Sequence, residues 1–238
     1  MTALLRERLP DGIEVLRINR PDKRNALDTA TLHLINAALA ELASDDDVRV
    51  VVISTTSTTA LCAGADVGEE LDAAGGVARM EAFAEMYRRI DEVPVPTIAV
   101  CVGNCVGAGA EIVAGVDLRV GGDNLKLAWA GARLGVPVGP ARLTQLIGLS
   151  RAKDLIYTGR AIGLEEAASY DLFQRTATAD DAEAAALDLA AAIVRQSPAG
   201  VRRIKGMFRE LESSEQRISY ENEHLIDFQR HGTGLPQG

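Results

Sequence analysis

The spacing of apolar positions in the first fifty residues changes once, from alternation to helical spacing. Alternating residues predict a hairpin of strands 3–9 and 13–19, with a turn at Pro10-Asp11-Gly12. Asp28 is the expected N-cap of the helix that follows. Apolar residues then recur at helical spacing: Leu32, Ile35, Leu39 and Leu42.

From there to about residue 120, short β-branched runs alternate with helical patterns. The expected strands are residues 48–54, 97–102 and 117–120. A Thr-, Ser- and Gly-rich loop over 55–65 is expected to lead into a short helix that begins near Asp66. Two further helices are expected over 77–91 and 110–115. This alternation predicts an α/β fold with parallel β-α units.

After Pro140 the pattern is almost entirely helical. The expected helices are 141–147, 150–158, 164–170, 181–196, 198–211 and 215–231. We therefore predict a core over residues 1–195 and a C-terminal helical region over 196–238.

Composition narrows the function classes. The chain has 238 residues, 47% of them hydrophobic and 25% charged, and a formal net charge of −9. This charge argues against nucleic acid and anionic membranes as partners. Three cysteines without a CxxC pair, and three histidines, predict no metal site. Residues 1–12 lack a continuous apolar run, so we expect no signal peptide and a cytoplasmic location.

Two glycine-containing turns each lie between an expected strand and an expected helix. They are Cys62-Ala63-Gly64-Ala65-Asp66 and Gly107-Ala108-Gly109-Ala110-Glu111. If they lie side by side, one backbone amide from each could bind a single oxygen atom. Either turn alone is equally compatible with a purely structural role, and neither matches a dinucleotide or phosphate-loop motif.

Glu111 is the only charged residue in the small, apolar segment GAGAEIVAGV. Burial favours the neutral form of a carboxyl group, which suits proton transfer near neutral pH. The alternative is a structural carboxylate that accepts hydrogen bonds from backbone amides.

Four segments, in order, resemble motifs of the crotonase superfamily, which contains the enoyl-CoA hydratase/isomerase family. They are Ile18–Leu27 (INRPDKRNAL), Cys62–Asp66 (CAGAD), Pro96–Val120 with its glycine turn and Asp-Leu-Arg strand, and Leu146–Gly159. The resemblance implies a spiral of β-β-α units with a C-terminal helical trimerisation region, in a homotrimer or a hexamer. It also implies an acyl-CoA thioester as substrate and no separate cofactor.

The resemblance further implies roles for individual residues. The amides of Ala65 and Ala108 would form the oxyanion hole, and Glu111 would be the catalytic acid or base. Lys23 and Arg24 match positions that contact coenzyme A. The expected substrate-binding set is completed by Ala63, Asp66 and Gly131.

Hydratases of this family use two glutamates, and only Glu111 has a match here. The second position falls on Gly131, or near Ala128 if the chain is shortened, and residues 124–153 contain no Asp or Glu. The sequence therefore argues against two-glutamate hydration. It also ends without the EGM-containing segment usual in the family, so we describe the region 196–238 as truncated.

Other side chains near the vacant position have alternative interpretations. Arg133 could bind a carboxylated substrate or be exposed to solvent, Trp129 is expected to pack in the core, and Arg142 lies nearby in the sequence. Acidic residues from the other wall could enter the pocket or serve only a helix dipole: Asp66, Glu69 and Glu70.

Two functional hypotheses remain. In the first, the chain is an acyl-CoA enzyme in which Glu111 alone moves the proton, as an isomerase, a decarboxylase, a thioesterase, or a hydratase with another acid. In the second, it is a non-catalytic acyl-CoA-binding or regulatory protein.

Overall fold

A computed structural model describes residues 2–235. The strands are β1 Leu4–Leu9, β2 Ile13–Ile18, β3 Val50–Thr55, β4 Ala60–Cys62, β5 Thr97–Cys101, β6 Asn104–Val106, β7 Leu118–Gly122, β8 Lys126–Ala128 and β9 Arg175–Ala177. The helices are α1 Thr29–Ala43, α2 Ala73–Glu92, α3 Ala108–Gly115, α4 Pro140–Ile147, α5 Leu149–Thr158, α6 Leu164–Ser169, α7 Ala182–Val194, α8 Pro198–Glu212 and α9 Ser214–His231.

The strands form two sheets. The larger has the order β1-β2-β3-β5-β7-β9, and the smaller has the order β4-β6-β8. Only the β1–β2 hairpin is antiparallel, and the other named strand pairs are parallel. The chain therefore spirals, because β3 and β4, β5 and β6, and β7 and β8 each place one strand in each sheet. This architecture confirms the predicted mixed α/β fold.

The β-branched run in β3 is buried on both faces of the larger sheet. Val51 and Ile53 pack in a core shared with α1 and α2. Val50 and Val52 face the opposite side, where they pack with small residues of α7 such as Ala186. Alternate residues of a strand point to opposite faces, so a continuous apolar run is what two covering layers require.

The C-terminal helices α8 and α9 pack against the rest of the chain. The Lys205 ammonium donates to the carbonyl of Val95 at 2.9 Å and to Asp117 at 2.8 Å. The predicted division at 195/196 falls between α7 and α8 and remains a prediction. The end of the predicted C-terminal region, residues 236–238, lies outside the described residues, as does Met1. Within residues 2–235, no helix is both long and apolar enough to cross a membrane.

Several boundaries differ from the sequence-based expectations. The short helix expected near Asp66 is wrong, since α2 begins at Ala73 with Asp72 as its N-cap. The expected loop 55–65 contains β4, and β6, β8 and β9 were not predicted. These four strands have three residues each, too short to show a periodic pattern.

Candidate active site

The two glycine turns are neighbours in the structure. β4 and β6 pair in parallel, with Cys62 opposite Cys105, so the turns that follow leave the small sheet at the same edge. A β-carbon on Gly107 would lie 3.8 Å from the Cα of Gly64. One on Gly109 would lie 2.1 Å from the Cys62 carbonyl oxygen, a distance that no side chain can occupy. Glycine at 109 therefore allows α3 to start directly against the first turn.

Each turn contributes one backbone amide without an acceptor among residues 2–235. Ala108 is the first residue of α3, where an amide has no partner within the helix. Around Ala65, the Leu27 amide donates to the Gly64 carbonyl at 2.8 Å, and the Asp66 amide donates to the Leu27 carbonyl at 2.9 Å. These two hydrogen bonds use the Gly64 carbonyl and the Asp66 amide, so the amide of Ala65 itself remains free.

Both turns line one cavity of about 240 Å³. Ala63, Ala65 and Ala108 are on its wall, and Gly131 lies on the wall that follows β8. The rest of the lining is mainly apolar and includes Met80, Phe83, Tyr87, Val136, Val138 and Leu225. No Asp or Glu within the described part of the chain lines this cavity. The space suits an apolar acyl group whose oxygen atom faces the free amides.

Glu111 lies one helical turn after Ala108. Its carboxyl is 1% exposed and is not among the groups that line the cavity. Oε2 accepts a hydrogen bond from Arg142 Nη1 at 3.0 Å, whereas Oε1 has no partner among the described residues. Burial raises the pKa of Glu111 to about 8, with Arg142 lowering it and Glu221 raising it. A carboxyl group with this pKa can give or take a proton near neutral pH.

The structure adds three residues that the sequence analysis did not assign to the site, namely Arg142, Glu221 and Tyr87. Arg142 Nη1 also contacts Glu221 of α9, and its guanidinium lies 4.4 Å from the centroid of the Tyr87 ring. The sequence carries a weak signal for Glu221, since it lies on the same helical face as the buried Ile218 and Leu225.

None of the three acidic residues that could enter the pocket from the other wall is among the residues that line the cavity. The Asp66 carboxylate accepts a hydrogen bond from Arg20 Nη2 at 3.0 Å, and Glu69 accepts one from the Thr29 amide at 3.1 Å. Glu70 is not among the cavity-lining residues either. Asp66 as a substrate-binding residue therefore remains a prediction without a contact to the cavity wall.

Lys23 and Arg24 lie next to the first turn. The Ala63 amide donates to the Arg24 carbonyl at 3.1 Å, so the basic segment is tied directly to the cavity wall. Both side chains are exposed, and neither forms an ion pair with any residue of the described range 2–235. They remain available for an anionic group at the surface.

No acidic side chain occupies the vacant second position. Trp129 is buried, as expected for packing. Arg133 is exposed, and its Nη2 donates to the Gly159 carbonyl at 2.7 Å. Gly131 and Ala128, the two positions obtained by counting, carry no acidic group.

Comparisons with known proteins agree on the family. The family model described as enoyl-CoA hydratase/isomerase matches residues 8–231. The chain is 33% identical over 206 residues to a probable enoyl-CoA hydratase of Mycobacterium tuberculosis, covering 85% of this chain and 80% of the relative. It is 32% identical over 200 residues to the mitochondrial methylglutaconyl-CoA hydratase of Mus musculus, covering 80% and 64%.

A solved structure of an enoyl-CoA hydratase from Bacillus anthracis has a TM-score of 0.84 to this chain. The two are 25% identical, and the match covers 100% of both chains. The spiral of β-β-α units with two adjacent glycine turns thus defines a protein of the crotonase superfamily. Within that superfamily, the chain belongs to the enoyl-CoA hydratase/isomerase family and is an enzyme of that type.

Proposed function

We propose that the protein binds an acyl thioester of coenzyme A with its carbonyl oxygen between the amides of Ala65 and Ala108. The observation that carries this proposal is the pair of free amides, from adjacent turns, on the wall of one apolar cavity. When a proton leaves the carbon next to the thioester, negative charge develops on that oxygen, and the charge is lost again when a proton joins the carbon. Fixed amide donors stabilise this charge more than they stabilise the neutral carbonyl.

Glu111 is the proposed proton-transfer group. Glu111 lies one helical turn from Ala108, so its carboxyl would have to leave Arg142 to act at the cavity wall. No Asp or Glu of residues 2–235 lines the cavity, so Glu111, which lies one turn along α3 from Ala108, is the single acidic group proposed to serve the reaction. This arrangement favours reactions that need one proton-transfer group over hydration by two glutamates. Isomerisation and decarboxylation would pass through an enolate, and thioester hydrolysis through a tetrahedral oxyanion, with the negative oxygen at the two amides in each case.

Coenzyme A itself is proposed to lie along Lys23 and Arg24. Their free, exposed cations would pair with its phosphates. Ala63 and Gly131 complete the contacts with the thioester on the cavity wall. The cytoplasmic location, and the absence of nucleic acid, membrane, metal and separate cofactor from the function, remain predictions from composition and family resemblance.

Self-association is part of the proposal. α8 presents exposed apolar side chains at helical spacing: Ile204, Met207, Phe208 and Leu211. A stripe of this kind is typical of an interface between subunits. We propose a homotrimer or a dimer of trimers, which sedimentation velocity distinguishes from each other and from a monomer.

The decisive test combines two substitutions with assays on crotonyl-CoA and a panel of other acyl-CoA thioesters. Ala108→Pro removes one amide donor at the first position of a helix, where proline is tolerated. We expect a loss of about 10²–10³-fold in kcat. Glu111→Gln should reduce turnover by about 10²–10⁴-fold while thioester binding persists.

The matched control is Ala73→Pro, at the exposed first position of α2, and it should keep full activity. Equal turnover by wild type and Glu111→Gln would remove Glu111 from the mechanism. Equal turnover by Ala108→Pro and Ala73→Pro would remove the oxyanion hole.

The alternative from the sequence, a member of the family that binds acyl-CoA without catalysis, stays a prediction. Glu111 is paired with Arg142, and no acidic side chain of the described residues lines the cavity. This alternative predicts thioester binding by wild type without any Glu111-dependent product across the panel.

A further inference from the structure

Two buried carboxyl groups share one cation in this protein. Arg142 Nη1 lies 3.0 Å from Glu111 Oε2 and also contacts Glu221 Oε1. All three side chains are at most 5% exposed. With both glutamates ionised, this cluster would carry a net negative charge in a place with almost no water, which is strongly unfavourable.

Other arginines on the surrounding helices have partners of their own within residues 2–235. Arg89 pairs with Glu85, Arg79 Nη1 donates to the Asp66 carbonyl, and Arg217 Nε donates to the Ala141 carbonyl. The buried phenol and thiol groups on the elements around α3 are Tyr87 of α2, Cys62 of β4, Cys101 of β5 and Cys105 of β6. Burial raises the pKa of each of them, so all four are neutral at neutral pH. One proton shared between Glu111 and Glu221 is therefore the simplest way to balance Arg142.

The hydrogen bonds of the two glutamates are unequal. Glu221 Oε2 accepts from the Ala141 amide at 2.8 Å, in the first turn of α4, while its Oε1 contacts Arg142. Glu221 also lines a second cavity, of about 660 Å³. Glu111 has one partner for Oε2 and none among the described residues for Oε1. Charge is better stabilised on the carboxylate with more donors, so the proton belongs on Glu111.

We infer that Glu221 is a positioning residue that holds Arg142 and thereby keeps the proton on Glu111 in the resting enzyme. This inference rests on the proposed role of Glu111. The direction of the Glu111 pKa, raised to about 8, agrees with it. In the resting protein, Glu111 is accordingly a carboxylic acid buried beside Arg142, and not a carboxylate.

The inference assigns a direction to the chemistry. An enolate bound at Ala65 and Ala108 takes the Glu111 proton at its α-carbon, forming a C–H bond as its electron pair leaves the oxygen and the thioester carbonyl re-forms. The negative charge then rests on Glu111. Arg142 can stabilise it, because its Nε and Nη2 have no acceptor among the described residues.

The test is a direct titration of the Glu111 carboxyl group in the full-length protein without substrate. Carbon-13 NMR of glutamate labelled at Cδ follows each carboxyl, and the Glu111→Gln spectrum identifies the Glu111 signal. In wild type this signal should be that of a protonated acid at pH 7. In Glu221→Gln, its midpoint should fall by about one pH unit or more, since a nearby negative charge is removed and Arg142 is released.

Glu223→Gln is the matched control, because Glu223 is exposed on the same helix, and it should leave the midpoint unchanged. If the Glu221→Gln variant does not fold, the wild-type spectrum still tests whether Glu111 is protonated at pH 7. A protonated signal at pH 7 that disappears in Glu111→Gln supports the inference, and an ionised Glu111 at pH 7 overturns it. An unchanged midpoint in a folded Glu221→Gln variant overturns it as well.

The titration is independent of turnover, so it separates this inference from the proposed function. If Glu111→Gln abolishes turnover but Glu111 titrates as an ordinary carboxyl, only the inference fails. If Glu111 titrates as expected but no product forms in wild type, only the catalytic proposal fails. If the inference and the catalytic proposal both hold, the alkaline limb of the kcat–pH profile should move to lower pH in Glu221→Gln.

Discussion

Two buried arginines in this protein have opposite electrostatic surroundings. Arg119 in β7 donates to backbone carbonyls, among them those of Leu172 and Asp117, each at 2.9 Å. Burial lowers the pKa of Arg119. Burial also acts to lower the pKa of Arg142, but the adjacent carboxyl groups of Glu221 and Glu111 raise it above its usual value. A cation held by carbonyls fixes the fold, whereas one held by carboxyl groups also determines where a proton resides.

Arg142→Met should have the largest effect on stability. It leaves Glu111 and Glu221 buried without a cation, which costs about 3–5 kcal/mol of unfolding free energy near neutral pH. The cost should shrink as pH falls toward 5, because protonated carboxyl groups no longer need the cation. Urea denaturation at several pH values measures this. A loss that does not vary with pH would contradict the carboxyl-centred role of Arg142.

Glu111→Gln should show how much the ionisation of the buried Glu111 carboxyl lowers the free energy of unfolding as pH rises. The native pKa of about 8 lies above the ordinary glutamate value of 4.5, so between these values the folded protein keeps a proton that the unfolded chain has lost. Wild-type stability should therefore fall with rising pH, by at most about 1.4 kcal/mol per pH unit, relative to the variant. Above the native pKa the difference should become constant.

Parallel urea titrations of wild type and Glu111→Gln, at equal protein concentration, test this expectation. A difference that stays the same from pH 5 to pH 8 would show that folding does not raise the Glu111 pKa.

Arg119→Met should have the smallest effect of the three. It leaves buried carbonyl groups without a donor, which costs roughly 1–3 kcal/mol. Because these partners do not titrate, the loss should be the same at pH 5 and pH 8. A strong pH dependence here would remove the contrast between the two arginines.

Much of the fold could be predicted because its signals are local. Asp28 caps α1 as expected, accepting from the Thr31 amide at 2.8 Å. The start of α3 was placed at residue 110 but lies at Ala108, since its N-cap Gly107 offers no side-chain oxygen to mark it. The helix expected near Asp66 fails for a tertiary reason, as the Asp66 amide is used by Leu27 and its carboxylate by Arg20.

In the candidate site, too, local features could be predicted from the sequence and long-range contacts could not. The two glycine turns and the burial of Glu111 could be predicted, because small residues and an apolar surrounding segment are visible in a short stretch of chain. The pairing of β4 with β6, which brings the turns together, could not, because three-residue strands carry too little pattern.

By itself, the sequence determined the order of the longer strands and of most helices, the two glycine turns and the presence of one carboxyl group beside them. Only the tertiary structure decided what that carboxyl group faces. Arg142 lies 31 positions from Glu111, and Glu221 lies 79 positions from Arg142. Hydrogen bonds of the backbone are set by neighbouring residues, but the charge balance of a buried group depends on distant side chains that folding brings within 3 Å of it.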